Sequence, residues 1–334
     1  MKTAEFDYNL PPELIAQTPI EPRDAARLLC LDRASGAIEH RQFVDLPDLL
    51  QPGDLLVANE SRVIPARLFA RKPTGGAVEV LLLRRLDAQT WQALLRGHNL
   101  RVGARVIIKD DLTAEVIEQA ATGERVIRFN QPIDDQLDAL GVMPLPPYIH
   151  EPLRDPERYQ TIYSHTPGSA AAPTAGLHFT PRVFDRLRER GIGVAYVTLH
   201  VGLDTFKPVE TEDIEQHHIH TEYVQLSEET AARVREAKAG GRRVIAVGTT
   251  SVRVLETAAR HGLAAYSGDT ALYIYPGFEF RAIDGLLTNF HLPRSSLLML
   301  VSALAGKANI DRAYAEAIEQ KYRFFSFGDA MFIR

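Results

Sequence analysis

The pattern of predicted strands and helices changes at about residue 150 of this 334-residue chain, and this change limits the folds open to it. Before residue 150, short apolar runs are separated by Gly, Asp, Asn or Pro, with no long helical segment between them. Beyond it, apolar strands alternate with helical segments. The first pattern predicts a small β-barrel or sandwich, and the second predicts an α/β layer structure.

Seven short strands are predicted in the first region: Leu55–Ala58, Ala66–Ala70, Val78–Leu83, Trp91–Leu95, Arg105–Ile108, Ala114–Ile117 and Arg125–Phe129. The proline-rich stretch Met143–Tyr148 then forms a stiff boundary. Residues 1–57 are too few for a separate domain, so we expect them to pack on the α/β part. The predicted organisation is an α/β main domain of mixed layers, residues 1–60 and 146–334, interrupted by a small all-β barrel domain at 61–145.

Helix signals define the second region. Thr180, Ser227 and Ser295 are predicted N-caps, and Asp311 is the predicted start of the final long helix. Another helix is predicted over Val252–His261. Predicted strands are Val194–Thr198, Val244–Val247, Leu272–Tyr275 and Leu286–Asn289.

Composition limits the location of the protein. No apolar run is long enough for a signal peptide or a membrane helix, so we expect a cytoplasmic protein without membrane contact. The single cysteine, Cys30, excludes an internal disulfide and makes a thiolate metal site implausible. Because it lies in an apolar run, a buried structural thiol is the better interpretation than a catalytic one.

Charge is unevenly distributed along the chain. The net charge is −5, yet Ser61–Lys109 contains ten basic residues against only Glu79 and Asp87. That segment is therefore +8, and the remainder is −13. The asymmetry is consistent with a surface that faces a polyanion and, equally, with a solvated barrel exterior.

Five runs combine small residues with polar side chains near predicted strand ends, where α/β folds bind ligands. They are Ala171–Phe179, Thr198–Phe206, His217–Tyr223, Val244–Arg253, and Leu287–Leu297 together with Tyr322–Phe332. Taken alone, the first favours a tight loop with a satisfied histidine. The fourth resembles a capped helix as much as an anion site, and it lacks both phosphate-binding glycine motifs.

The third run contains three histidines close together. A metal site is disfavoured because no HExxH pattern or cysteine cluster accompanies them. A histidine–carboxylate pair for proton transfer and plain surface histidines both remain open.

The order of the runs is more specific than any one of them. FDYNLPPELIAQTP, NESRVIPARL, MPLPPYI, AAPTAGLHF, TLHVGLDTF, GTTSVR, YPGF, TNFHLP and YRFFSFGDAMF follow one another from Phe6 to Phe332. This series closely resembles the S-adenosylmethionine:tRNA ribosyltransferase-isomerases of bacterial queuosine biosynthesis. Two positions depart from the family pattern: Glu60 replaces Asn or Asp, and Leu203-Asp204 replaces a pair of small residues.

The resemblance implies a transferase that moves and isomerises the ribosyl part of S-adenosylmethionine. The acceptor would be the aminomethyl-deazaguanine base at the wobble position of tRNAs for Tyr, His, Asn and Asp. The products would be epoxyqueuosine-tRNA, adenine and methionine. It also implies a two-domain monomer with S-adenosylmethionine as co-substrate and no prosthetic group or metal.

The expected site residues follow from this chemistry and from motif position. Proton transfer is assigned to the catalytic candidates His178, His200, His220 with Glu222, and His291. Substrate binding is assigned to Thr174, Gly176, Thr249, Thr250, Ser251, Arg253, Asn289, Arg323 and Asp329. Contact with the tRNA backbone is assigned to Arg62, Arg71, Arg84, Arg85, Arg96 and Arg101.

Two other functions are compatible with parts of the sequence. A methyltransferase would use the same co-substrate, but it needs a glycine-rich loop that Val244–Arg253 does not have. A non-catalytic RNA-binding protein would explain the basic segment, but the clustered histidines argue against it.

Overall fold

A computed structural model of the chain describes residues 1–120, 123–202, 208–219 and 221–334. The chain forms two compact units. The first, the main unit, contains Met1–Ser61, Pro146–His165 and Pro173–Arg334, and the second, the barrel unit, contains Arg62–Leu145 and Thr166–Ala172. Residues 166–172 thus join the barrel unit, whereas the sequence-based division placed them in the α/β domain. The predicted domain limits stay a prediction.

The strands of the described chain are β1 (Arg27–Leu31), β2 (Ile38–Gln42), β3 (Leu55–Asn59), β4 (Ser61–Val63), β5 (Arg67–Arg71), β6 (Ala77–Arg85), β7 (Thr90–Arg96), β8 (Arg105–Lys109), β9 (Leu112–Gln119), β10 (Arg125–Phe129), β11 (Gly141–Val142), β12 (Thr166–Ser169), β13 (Gly193–Leu199), β14 (Glu222–Leu226), β15 (Val244–Val247), β16 (Tyr266–Thr270), β17 (Gly285–Asn289) and β18 (Ala330–Ile333). The helices are α1 (Leu46–Leu49), α2 (Leu137–Leu140), α3 (Pro181–Glu189), α4 (Glu228–Ala239), α5 (Thr249–Arg260), α6 (Ser296–Ala305) and α7 (Lys307–Glu319).

The main unit is built on a nine-stranded mixed sheet in the order β16-β14-β13-β3-β15-β17-β18-β1-β2. Its centre is parallel, because β13, β3, β15 and β17 run in the same direction. Every residue of β3, β15 and β17 is buried, as expected for parallel strands covered on both faces. The carboxyl ends of these four strands therefore meet at one edge of the sheet.

The core of the main unit joins the first strands of the chain to the later ones. Leu28 and Cys30 of β1 pack in one buried cluster with Leu56, Ile245 and Phe332. Cys30 is 1% exposed, and burial raises the pKa of its thiol to about 12. Cys30 is therefore a structural thiol.

Three helices of the main unit begin at the predicted caps. The side chains of Thr180, Ser227 and Ser295 accept hydrogen bonds from the amides that start α3, α4 and α6. No helix of the described chain is both long and apolar enough to cross a membrane.

Some predicted element limits are wrong. Residues Leu272–Tyr275 do not form the expected strand; the strand in this part of the chain is β16, Tyr266–Thr270, which pairs with β14. The last helix begins at Lys307 and not at Asp311, because Gly306, at φ 83°, lets the chain leave α6 and enter α7 at once. Helix α5 begins at Thr249, three residues earlier than expected, for the same reason: Gly248 has a φ of 85°.

The barrel unit contains a closed antiparallel barrel. Strands β5, β6, β7, β10, β9 and β8 pair in that order, and a further pairing of β5 with β8 closes the ring. Alternate residues such as Leu68, Val80 and Trp91 fill its interior. The predicted fold class, an α/β main domain with an inserted small all-β barrel, is confirmed.

Candidate active site

Polar side chains collect at the carboxyl edge of the main sheet. Asn59 ends β3, His200 follows β13, Gly248 follows β15 and Asn289 ends β17. Glu222 begins the antiparallel strand β14 and so lies at the same edge. Ligands bind at this edge in α/β folds because the strand ends and their loops leave backbone and side-chain groups unused.

Asn289 is the centre of a hydrogen-bond network in this site. Its Oδ1 accepts a hydrogen bond from Thr174 Oγ1 at 2.9 Å. Its Nδ2 lies 3.3 Å from His178 Nε2 and donates to the carbonyl of Phe325 at 3.3 Å. The network thus joins β17, the 3-10 turn Thr174–His178 and the loop before β18.

His178 is neutral at physiological pH. Burial lowers the pKa of its imidazole to about 4, while a hydrogen bond with the backbone of Arg23 acts in the opposite direction. The side chain is 4% exposed, and its ring lies 5.0 Å from that of Phe43. Its Nε2 faces the amide donor of Asn289, so this nitrogen is an acceptor.

The start of α5 lies beside the same turn. A Cβ placed on Gly248 would lie 3.7 Å from Cβ of Ala175, which shows how closely the two segments approach. The first amides of α5 have no partner within the helix, as at any helix start. The hydroxyl of Ser251 donates to the carbonyl of Val247 at 2.8 Å, whereas the buried hydroxyl of Thr250 has no partner among the described residues.

Glu222 pairs with Arg253 instead of with a described histidine. Their side chains are 9% and 7% exposed and form an ion pair. Arg253 Nε also donates to the carbonyl of Leu272 at 3.2 Å, and Glu222 Oε1 accepts from the amide of Gly202 at 2.8 Å. Burial lowers the pKa of Arg253 to about 10, so it stays charged. The pair holds the start of β14 against α5.

His200 is positioned by its neighbours in the sheet. Its ring stacks on that of Tyr223 at 5.8 Å and 18°, and its amide donates to the carbonyl of Tyr223. The buried side chain of Asn59 bonds both the amide and the carbonyl of Leu199, the residue before His200. Asn59 therefore fixes the end of β13 from the neighbouring strand.

His291, Asp329 and Arg323 have well-defined partners. Burial lowers the pKa of His291 to about 3, and its Nε2 lies 2.8 Å from Thr288 Oγ1. The two carboxylate oxygens of Asp329 accept from the amides of Arg27 and Arg323, each at 2.8 Å. Arg323 donates from its guanidinium to the carbonyl of Thr18. Asp329 thus joins two backbone segments.

A small pocket lies beside His178. Arg23, Arg158, Ser326 and Phe327 are among the residues that line it. None of these four residues is predicted from the sequence as part of the site, and neither is Asn59. The signal that could have indicated Asn59 is its position directly after the buried run Leu55–Ala58.

Gly176 is required by close packing. A Cβ at this position would lie 2.0 Å from the hydroxyl of Tyr163 and 2.8 Å from Cγ2 of Thr161. Only glycine lets the turn Thr174–His178 lie against these side chains. Tyr163 and Thr161 are further residues that the sequence analysis did not assign.

Several predicted residues lie elsewhere. His220 and the Leu203-Asp204 pair fall outside the described residues. Arg62, Arg71, Arg84, Arg85, Arg96 and Arg101 belong to the barrel unit or its loops, where Arg71, Arg85, Arg96 and Arg101 are exposed and Arg85 pairs with Asp134 at 3.0 Å. Among the described residues, no group of three or more His, Cys, Asp or Glu is arranged to hold a metal ion.

The fold and this edge define the class: an α/β protein with an inserted barrel and a polar cluster at the carboxyl ends of its central strands. Residues 3–333 match the family described as "Queuosine biosynthesis protein". The chain therefore belongs to the queuosine biosynthesis protein family, as the order of its motifs predicts.

Two relatives with more than half of their residues identical to this chain have the same name. A protein of Symbiobacterium thermophilum and one of Carboxydothermus hydrogenoformans, both named S-adenosylmethionine:tRNA ribosyltransferase-isomerase, are 56% and 55% identical to this chain, with all of each chain covered. A crystal structure of S-adenosylmethionine tRNA ribosyltransferase from Thermotoga maritima is 43% identical, with a TM-score of 0.59. That match covers 99% of this chain and 100% of the other.

Proposed function

We propose that this protein transfers and isomerises the ribosyl moiety of S-adenosylmethionine onto the aminomethyl-deazaguanine base at the tRNA wobble position. The products are epoxyqueuosine-tRNA, adenine and methionine. The acceptors are the tRNAs for Tyr, His, Asn and Asp. The structural observation that carries the proposal is the network of Asn289, Thr174 and His178 beside the start of α5. Family membership over residues 3–333 supports it.

The start of α5 is the proposed site for the methionine carboxylate or the ribose. Free amides and the positive end of the helix dipole favour an anion there. Thr249 and Thr250 offer hydroxyls at the first turn, and the hydroxyl of Thr250 has no described partner. Ser251 and Arg253 are bound within the protein, so in this proposal they position the helix and do not contact the substrate.

A general base must be deprotonated before it can accept a proton, and an uncharged imidazole is the deprotonated form of histidine. His178 meets this requirement, and Asn289 orients it. His200 and Glu222 lie at the same edge of the sheet, and His220 remains part of the proposal although it lies outside the described residues. His291 is held by Thr288, so its proposed role is to shape the end of β17.

The barrel unit is the proposed contact for the tRNA backbone. Exposed arginines such as Arg71, Arg96 and Arg101 provide cations that can neutralise phosphates. We place the reaction in the cytoplasm and expect the protein to act as a monomer.

The test is to incubate the protein with S-adenosylmethionine and tRNA that carries the deazaguanine precursor. Release of adenine and methionine in equal amounts with the modified tRNA supports the proposal. Formation of S-adenosylhomocysteine would show a methyltransferase instead. Tight tRNA binding without any turnover would show an RNA-binding protein.

A further inference from the structure

Phe69 is an exposed aromatic side chain at the middle of strand β5. It is 60% exposed, more than any other large hydrophobic residue of the described chain. The residue before it, Leu68, is completely buried in the barrel, so the alternation along β5 directs Phe69 outward. Because 60% of Phe69 is exposed, most of its ring is available to a binding partner.

Arginines surround this ring on the outer face of the barrel. Arg67 and Arg71 lie two residues away on β5, about 7 Å along the strand. Glu79 of β6 is directly opposite Phe69, and Arg96 of β7 is directly opposite Glu79, about 10 Å from Phe69 across two strands. These residues form one face, which we call the Phe69 face.

The charge of the Phe69 face is positive. Glu79 forms an ion pair with Arg67 at 3.2 Å, so these two charges compensate each other. Arg71 and Arg96 are exposed and form no ion pair with any residue that the structure describes. An apolar partner would have to desolvate both guanidinium groups without compensation. A partner with phosphates and a planar ring would match both the cations and the aromatic side chain.

We propose that the Phe69 face binds an unpaired nucleotide of the tRNA, whose base stacks on Phe69 while Arg71 and Arg96 contact the adjoining phosphates. The inference rests on the proposed function, which makes tRNA the partner. A base inside a stem offers no free face for stacking, so the nucleotide belongs to a loop or to another unpaired segment.

The test measures the dissociation constant of the complex between the protein and a transcript of the tyrosine tRNA, as a function of salt concentration. Replacement of Phe69 by alanine should weaken binding by about 5- to 100-fold and leave the salt slope unchanged, because stacking releases no counterions. Phe69→Trp should retain the affinity, and Phe69→Leu should not. Arg71→Ala or Arg96→Ala should lower the slope by about 1.

Val102→Ala is the matched control. Val102 is 59% exposed and also lies in the barrel unit, so its removal tests for a general effect of apolar surface. Unchanged tRNA affinity in Phe69→Ala would overturn the inference, and so would full affinity in Phe69→Leu. It would also be overturned if the protein self-associates through Phe69, shown by a dimer that Phe69→Ala converts to a monomer without loss of tRNA binding.

The two failures are distinguishable. If the wild-type protein releases no adenine with modified tRNA, the proposed function fails whatever Phe69 does. If the wild-type protein turns over and Phe69→Ala binds tRNA equally well, only the inference fails.

Discussion

The side-chain amide of Asn289 lies 3.3 Å from Nε2 of His178 and fixes this nitrogen as a hydrogen-bond acceptor. The contact spans 111 residues of sequence and joins the end of β17 to the turn Thr174–His178. Asn289 therefore sets the orientation of the imidazole, while burial keeps it neutral.

Replacement of Asn289 by aspartate should raise the pKa of His178. A carboxylate beside an imidazole stabilises the imidazolium, and such a neighbour shifts a pKa by roughly 1–3 units. The pKa of about 4 should therefore rise toward neutrality, and the acid limb of the activity profile should move to higher pH. NMR titration of His178 and the pH dependence of adenine release measure the two effects. Asn309→Asp on α7 is the control, and an unshifted His178 titration would contradict the prediction.

Thr250→Val should weaken S-adenosylmethionine binding without loss of stability. The hydroxyl of Thr250 is buried and has no described partner, so its removal breaks no bond within the protein. If it binds the co-substrate, KM should rise up to about tenfold, the value of one neutral hydrogen bond. Ser251→Ala, which leaves the carbonyl of Val247 without its donor, should instead lower the free energy of unfolding by about 1 kcal/mol. The same KM in Thr250→Val and wild type would exclude this contact.

Glu222→Gln should destabilise the main unit strongly. The substitution leaves the buried guanidinium of Arg253 without its counter-charge, which costs roughly 3–5 kcal/mol. The double variant Glu222→Gln/Arg253→Met should recover part of this loss, because the buried charge is then absent. Urea denaturation measures each variant. Glu228→Gln, which breaks the exposed pair with Arg235, should change stability by less than about 1 kcal/mol. Equal losses in the two glutamine variants would contradict the prediction.

The protein should lose stability as the pH falls below about 6.5. His178 and His291 have folded-state pKa values of about 4 and about 3, whereas the unfolded chain has the ordinary value of 6.5. Between these values the unfolded state binds more protons, so the stability is complete above pH 6.5 and decreases toward pH 3. Each pH unit costs about 1.4 kcal/mol per histidine.

Urea midpoints of His291→Gln across this range test that prediction. The variant should show a shallower decline than the wild-type protein, because one of the two histidines no longer contributes. His98→Gln changes an exposed histidine of the barrel unit and should leave the wild-type slope intact. Parallel curves for His291→Gln and wild type would show that His291 does not drive the decline.

The sequence predicts the secondary-structure elements and the fold class better than it predicts the contacts between side chains. Alternation of apolar residues correctly indicates strands such as Arg125–Phe129, and Thr180, Ser227 and Ser295 are caps as expected. No strand forms over Leu272–Tyr275, and the carbonyl of Leu272 accepts a hydrogen bond from Arg253. The carbonyl that accepts a hydrogen bond from a buried cation is determined by long-range packing. The local sequence pattern contains no information about such contacts.

The sequence motifs that form the site could be predicted, but the hydrogen bonds between their side chains could not. The motifs at strand ends place Thr174, His178 and Asn289 in the same region, but only the register of the sheet brings them into contact. Asp329 is a second example. Its role as a substrate ligand stays a prediction, and only the fold shows that its carboxylate accepts the backbone amides of Arg27 and Arg323.

The position of β18 in the main sheet affects how a newly synthesised chain folds. β18 lies between β17 and β1, and Asp329 joins Arg27 across 302 residues of sequence. The barrel pairs strands that are close in sequence, so it can form early on the ribosome. β1 can pair with β2, but its other edge stays open until β18 has been made. During synthesis, this edge of β1 stays open to wrong strand pairing until the last residues of the chain are made.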